Sequence, residues 1–288
     1  MQARTRGLLT LGCAIVAISS ATPFIRWAQP APAMTVAALR VSLTAVVMLA
    51  AAPRAFALWW TLPARDRAWA IAAGVLFGAH LGVWITSLYF TSATASVALV
   101  ATNPVFAALF GLLLGDHVRR REWWGIAIAI GGTAIIAGND WGAGGRAIVG
   151  DGLSLAGGAL AAGYLVVGRR LRSAMPLAAY LAIVNTFGAI VLVAAVIIGG
   201  DQVFGLAPHA YVAIAGAAMI ASVVGHTLLN DGVRRTPTHL VALTILGEPV
   251  GASLMTWAFF AEQPTVHAAI GGLVILAGIG LGFMGRKA

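Results

Sequence analysis

Apolar segments of about 20 residues, separated by short gaps, run the length of this 288-residue chain, and its basic residues fall almost entirely in alternate gaps. A hydrocarbon layer about 30 Å thick demands helices of that length. A chain threaded through a membrane in one orientation keeps its Arg and Lys on one side. The pattern predicts spans at 7–28, 33–52, 68–90, 94–115, 123–139, 149–168, 177–199, 210–232, 238–260 and 265–284. With the N-terminus placed in the cytoplasm, the inside segments hold Arg4, Arg6, Arg54, Arg65, Arg67, Arg119, Arg120, Arg121, Arg169, Arg170, Arg172, Arg234, Arg235, Arg286 and Lys287, which is 15 of the 18 basic residues. The outside segments hold Arg26 and Arg146, and Arg40 lies within a span. Losing one span would scramble this alternation, so the split supports both count and orientation. Ten spans put both termini in the cytoplasm, and the expected location is a bacterial inner (plasma) membrane.

Composition excludes the main alternatives. Hydrophobic residues make up 60% of the chain and charged ones 9%, against about 25% charged in soluble domains. The net charge of +9 is distributed in small groups between spans rather than along one face, so positive-inside placement explains it and nucleic-acid binding is not expected. The single cysteine, Cys13, rules out an intrachain disulfide and any Cys-rich metal site; no metal or cofactor is expected. The first apolar run, Gly7 to about Trp27, exceeds the 7–15-residue core of a signal peptide and reads as a retained span. Trp27, Trp59, Trp60, Trp69, Trp123, Trp124 and Trp141 fall near segment ends, where amphipathic rings sit at headgroup level. No period-two alternation indicates strands, and the short gaps leave no room for an ATP-hydrolysing domain.

The chain repeats itself. LGDHVRRREWWGIAIAIGGTAI, from Leu114, parallels FAEQPTVHAAIGGLVILAGIGL, from Phe260. Asp116 and Glu262 each lie nine residues before a matched glycine, Gly125 and Gly271, at an offset of 146. The same offset carries His80 onto His226; with a one-residue slip it carries Asn103-Pro104 onto Glu248-Pro249 and Arg40 onto Asn185. The expectation is an all-α membrane protein of ten transmembrane helices in two five-helix repeats, 1–145 and 146–288. Five is odd, so the halves lie inverted in the membrane. Inverted repeats of this kind characterise secondary transporters, with the binding site at mid-depth between the halves.

The blocks NPVFAALFGLLLGD and WWGIAIAIGGTAII of the first half, EPVGASLMTWAFFAEQPTVHAAIGGLVILAGIGL of the second, the Ala38-Leu39-Arg40 triplet and GDGLSLAGGALAAGY resemble EamA-type members of the drug/metabolite transporter superfamily over the whole chain. Amino-acid exporters of the YddG kind are the most similar branch. The resemblance implies a ten-helix carrier that exports small metabolites. Asp116 stands where the first repeat of that family usually has Glu.

Several residues could carry the chemistry. Glu248 is the only carboxylate expected at mid-span, where an ionisable group costs about 2.5–3.5 kcal/mol on insertion scales and usually faces an interior cavity. Pro249 removes a backbone donor beside it, and Pro104 does the same beside Asn103. Glu248 is a candidate ligand for a substrate amine or a proton site; the alternative is a protonated carboxyl used for packing. Asn103 is either a hydrogen bond to substrate or interhelical glue. One acid and one neutral amide at equivalent positions suit a cationic or zwitterionic solute. His80 and Trp84, four apart, share a helix face, as do His226 and Asn230. Histidine titrates near neutrality, so His80 and His226 join Glu248 as proton-coupling candidates at two ends of a path, or else serve packing. Trp84 could stack on substrate or simply pack. Arg40 could snorkel outward, bind a substrate carboxylate or pair with Glu248. Tyr164 and Asn185 are further polar candidates for substrate binding. Gly278 and Gly282 form a small-xxx-small pair suited to close helix packing.

These features predict a secondary, non-ATP transporter of small polar metabolites, amino acids foremost, working by alternating access. Its expected partners are a small-molecule substrate, membrane lipid and, as a candidate coupling ion, protons; a monomer is expected, with a dimer as the alternative. Export of other small amines, drugs or nucleotide-like metabolites is the second reading. An intramembrane enzyme would need a paired nucleophile and base, and no HExxH, GxSxG or P-loop motif is present. A channel would be expected to carry a symmetric pore or filter loop.

Overall fold

Residues 2–91, 93–137, 145–171, 174–260 and 265–284 are described in the computed structural model. Trp141, Arg172, Glu262, Arg286 and Lys287 lie outside the described residues. Among those described, the chain is helical, with no strand. Span 1 is Gln2–Ser19 continued by Ala21–Trp27; span 2 is Ala33–Ala51; span 3 is Ala64–Ser87; span 4 joins Ala93–Val100 to Asn103–Leu113; span 5 is Arg120–Ala137. Span 6 is Gly145–Leu171 and span 7 Leu177–Gly199; span 8 runs through Pro208–Gly216, Ala217–His226 and Thr227–Arg235; span 9 joins Thr238–Ile245 to Glu248–Phe260; span 10 is Val266–Phe283. Between spans 2 and 3, where the sequence pattern predicts only a gap, the structure has a short helix, Ala55–Thr61.

Nine of these helical units are long and apolar enough to cross a membrane. Span 5 falls outside that count because it opens with Arg120, Arg121 and Glu122 and turns apolar only from Trp123. Side chains such as Leu113 and Ile198 are more than four-fifths exposed, as a lipid-facing surface requires. Span 4 breaks at Ala101-Thr102 and span 9 at Leu246-Gly247. In both cases a proline is the second residue of the new helix. Proline is tolerated in a first turn because its missing N–H would be unpaired there anyway.

The packing has the symmetry that the repeat demands. Span 5 lies along span 10, span 2 along span 7 and span 4 along span 9. Span 3 touches spans 6 and 7, and span 4 touches span 6. Correspondingly, span 8 touches spans 1 and 2, and span 9 touches span 1. Exchanging each span with the one five places away maps this set onto itself. The molecule is a pair of inverted five-helix repeats.

Glycine sets the distance between the last helices of the two repeats. A Cβ added at Gly278 would sit 2.6 Å from the Ala129 nitrogen and 2.7 Å from the Gly125 carbonyl oxygen. One added at Gly132 would sit 2.6 Å from the Gly271 oxygen. Gly278 and Gly282 therefore serve packing within the chain: spans 5 and 10 meet backbone to backbone, as small residues permit in membranes.

Polar contacts tie the repeats together at both ends. On the arginine-rich end Asp116 pairs with Arg169, and His239 Nε2 lies 3.1 Å from Glu122 Oε2 with both side chains buried. On the other end Thr91 Oγ1 donates to Asp151 Oδ1 at 2.8 Å and Thr35 Oγ1 to the Gln202 carbonyl at 3.0 Å.

Candidate functional site

Between the halves lies a cavity of about 50 Å³, room for a few waters at roughly 10–15 Å³ each. Its polar lining is Arg40, His80, Trp84 and Asn103 from the first repeat and Tyr164, His226 and Glu248 from the second. Seven residues singled out from sequence thus converge on one space. The breaks in spans 4 and 9 explain why: Asn103 and Glu248 are the first residues of the two half-helices, so each broken span turns at the cavity wall. Glu248 also sits where the partial positive charge of a helix start favours a carboxylate. Half-helices that begin at a cavity between inverted repeats are a feature of the general design of secondary transporters.

Arg40 does not snorkel. Its side chain is 1% exposed, and its Nε donates to Ser222 Oγ of span 8 at 2.9 Å. Its Nη1 has no hydrogen-bond partner among the described residues. Glu248 is within electrostatic reach of Arg40, yet no ion pair within 4 Å joins them among the described residues. Trp84 Nε1, Asn103 Oδ1 and His226 Nδ1 also lack partners among the described residues. Buried polar groups are nearly always hydrogen-bonded; four of these exceptions line this one cavity, and others, such as Thr22 Oγ1, Thr86 Oγ1 and Asn185 Oδ1, lie outside its lining.

The histidines share this cavity. His80 Nδ1 donates to the Gly157 carbonyl of span 6 at 2.9 Å, and its ring stacks on Trp84 with centroids 6.3 Å apart. The Phe77 ring contacts both the His226 and Tyr164 rings, with centroid distances of 5.2 and 4.9 Å. His80 of span 3 and His226 of span 8 both line this one cavity.

Asn230 and Asn185 are not in the lining. The Asn230 amide donates to the Tyr164 hydroxyl and to the His226 carbonyl, so it stands behind the wall and orients Tyr164. Asn185 donates back to the Leu181 carbonyl of its own helix at 2.8 Å. It is the repeat partner of Arg40, and its shorter side chain turns its amide N–H to its own helix one turn away, while its Oδ1 has no partner among the described residues.

Sequence reasoning missed three features. Ser222 fixes Arg40, but a lone serine in an apolar helix carries no signal. It lies in a stretch of span 8, Ala217–His226, wound as a π-helix; such windings are rare and frequent at functional sites. The buried Glu122–His239 contact was hidden because Glu122 follows three arginines and reads as part of a solvated turn. Its spacing did hold a clue: Glu122 lies three residues after Arg119, and its carboxylate accepts from the Arg119 backbone N–H at 2.7 Å, one half of a capping box. Among the described residues, no cluster of three or more His, Cys, Asp or Glu is arranged to hold a metal.

The comparisons with known proteins agree with this architecture. A solved crystal structure superposes with a TM-score of 0.81 over 97% of this chain and 97% of its own, at 18% identity, which establishes the fold. An uncharacterized transporter of Archaeoglobus fulgidus is 25% identical over 196 residues, covering 67% of this chain and 68% of that protein. The model of the EamA-like transporter family matches residues 5–138 and 148–284, one match for each half. The chain, an integral membrane protein built of two inverted five-helix repeats around a shared polar cavity, belongs to the EamA-like transporter family.

Proposed function

We propose that this protein is a secondary carrier that exports small polar metabolites, amino acids foremost, by alternating access. One observation carries the reading: the cavity takes its polar lining from both repeats, and the Arg40, Trp84, Asn103 and His226 atoms named above have no partner among the described residues. A solute held there would touch both halves, so rocking one half against the other would expose it first to one face and then to the other. Glu248 serves as the proton-coupling site, with His80 and His226 beside it. The carrier sits in a bacterial inner membrane with both termini in the cytoplasm, as the placement of its arginines favours. Membership in a transporter family supports transport without bond chemistry.

Flux of labelled amino acids from liposomes holding the pure protein tests this. The expected result is saturable counterflow of at least one of the twenty standard amino acids. Saturable flux of amines, drugs or nucleotides alone would move the substrate to the second reading, and single-channel currents would replace the carrier with a channel. If protons are coupled through Glu248, an imposed pH gradient drives flux in the wild type and not in Glu248→Gln.

A further inference from the structure

The short helix Ala55–Thr61 builds a surface at the arginine-rich end, away from the central cavity. Phe56 and Trp59 hold it on span 7: their ring centroids lie 6.4 and 5.8 Å from that of Phe187. Trp59 Nε1 donates to the Arg67 carbonyl of span 3 at 3.4 Å, and the Arg67 guanidinium lies 5.0 Å from the centre of the Trp60 ring. Trp60 itself is 64% exposed, an amphipathic ring where headgroups are expected. Between this helix, the end of span 2 and the start of span 7 lies an open hollow of about 600 Å³. Ala51, Ala57, Leu58 and Ala178 are among its lining; alanine side chains stop at Cβ, so the hollow stays open. Arg54 also lines it, and no carboxylate does among the described residues. The Arg54 side chain is exposed and makes no ion pair with a described residue. A second hollow, of about 420 Å³, lies further along the same two spans, with Ala45, Leu49, Ala189 and Val193 in its lining.

We propose that this trough seats one anionic phospholipid, its phosphate on Arg54 and a hydrocarbon tail along spans 2 and 7. A cation at the end of an apolar groove complements a molecule with an anionic head and an apolar tail, and the guanidinium fork matches a phosphate. Basic residues at a membrane surface attract anionic lipids. The charge is confined to one end of the groove: the stretch 199–207, at the other end of span 7, holds Asp201 and no basic residue. Span 2 belongs to the first repeat and span 7 to the second, so the lipid lies on the seam between the halves.

The test is native mass spectrometry of the full-length protein in detergent, titrated with dioleoyl-phosphatidylglycerol or dioleoyl-phosphatidylcholine. The two lipids share their chains and differ in headgroup charge. In the wild type the first phosphatidylglycerol is held about fivefold more tightly than the first phosphatidylcholine, the preference that one basic residue near the headgroups supplies. Arg54→Gln removes the preference. Arg120→Gln, which changes an exposed arginine at the same end but outside the hollow, leaves it unchanged. Ala57→Phe fills the hollow, keeps the charge and weakens binding of both lipids. Glycerol 3-phosphate, a head without tails, does not compete. Equal affinity of the wild type for the two lipids overturns the inference and needs no variant to fold. A loss in Arg120→Gln as large as in Arg54→Gln, or wild-type binding in Ala57→Phe, overturns it as well. Competition by glycerol 3-phosphate assigns the site to a soluble anion instead, and a dimer that Ala57→Phe abolishes assigns the groove to a second copy of the chain.

Discussion

The seam between spans 5 and 10 and the cavity between the halves are opposite solutions to joining the same two repeats. At the seam, Gly125, Gly132, Gly271 and Gly278 remove side chains so that backbones touch, and no polar side chain is needed to hold the contact. At the cavity, Arg40, Trp84, Asn103 and Glu248 line a space between the halves, and polar atoms of the first three have no partner among the described residues. The seam satisfies packing at the expense of any room for chemistry; the cavity does the reverse. If the cavity is the transport site proposed above, stability and function are concentrated in different places along the same interface, and substitutions can separate them.

The largest effect is expected at the seam. Gly278→Leu drives a side chain into the span 5 backbone and destabilises the fold by about 3 kcal/mol or more, seen as a lower unfolding temperature and loss of a monodisperse peak in detergent. If the variant unfolds like the wild type, the seam is not tight. Next comes Glu248→Gln, which lowers amino-acid flux by about tenfold to hundredfold, corresponding to the roughly 1.5–3 kcal/mol of a charge-assisted hydrogen bond, with little change in unfolding temperature. A thermal loss as large as that of Gly278→Leu would mean that Glu248 holds the fold together instead. Trp84→Phe keeps the ring and removes the Nε1 donor; half-saturation rises about fivefold, equivalent to about 1 kcal/mol, and unchanged kinetics would remove Trp84 from the binding set. The smallest effect is expected at Asn185→Leu, which changes flux by less than about twofold because that side chain lies outside the cavity lining and its N–H bonds its own helix. A large loss of flux there would mean that span 7 turns toward the cavity during transport.

Much of this was legible before any coordinates, and for physical reasons. Ten spans followed from segment length and from the alternation of Arg54, Arg119 and Arg169 with apolar runs, because the bilayer imposes both. The broken helices followed from Pro104 and Pro249, since a missing N–H must be accommodated at a helix start. Asn103 and Glu248 could be placed at a shared depth because the repeat offset links them. What the sequence concealed depends on helix rotation and on contacts between distant segments. Asn185 and Arg40 occupy equivalent positions, yet only the long side chain reaches the cavity. The Glu122–His239 contact joins residues 117 positions apart, and neither looks buried in its own neighbourhood: one follows an arginine run, the other a Thr-Pro-Thr turn.

That contact also gives span 9 a mechanical layout. His239 fastens the beginning of the span to Glu122 at the arginine-rich end, and the helix is interrupted at Leu246-Gly247 just before Glu248. The intervening piece, Thr238–Ile245, is eight residues long, a stiff lever of about 12 Å at 1.5 Å per residue. On the proposed carrier cycle one end would act as a pivot and the other as a joint at the carboxylate, so that a tilt of this piece would displace Glu248 at the cavity.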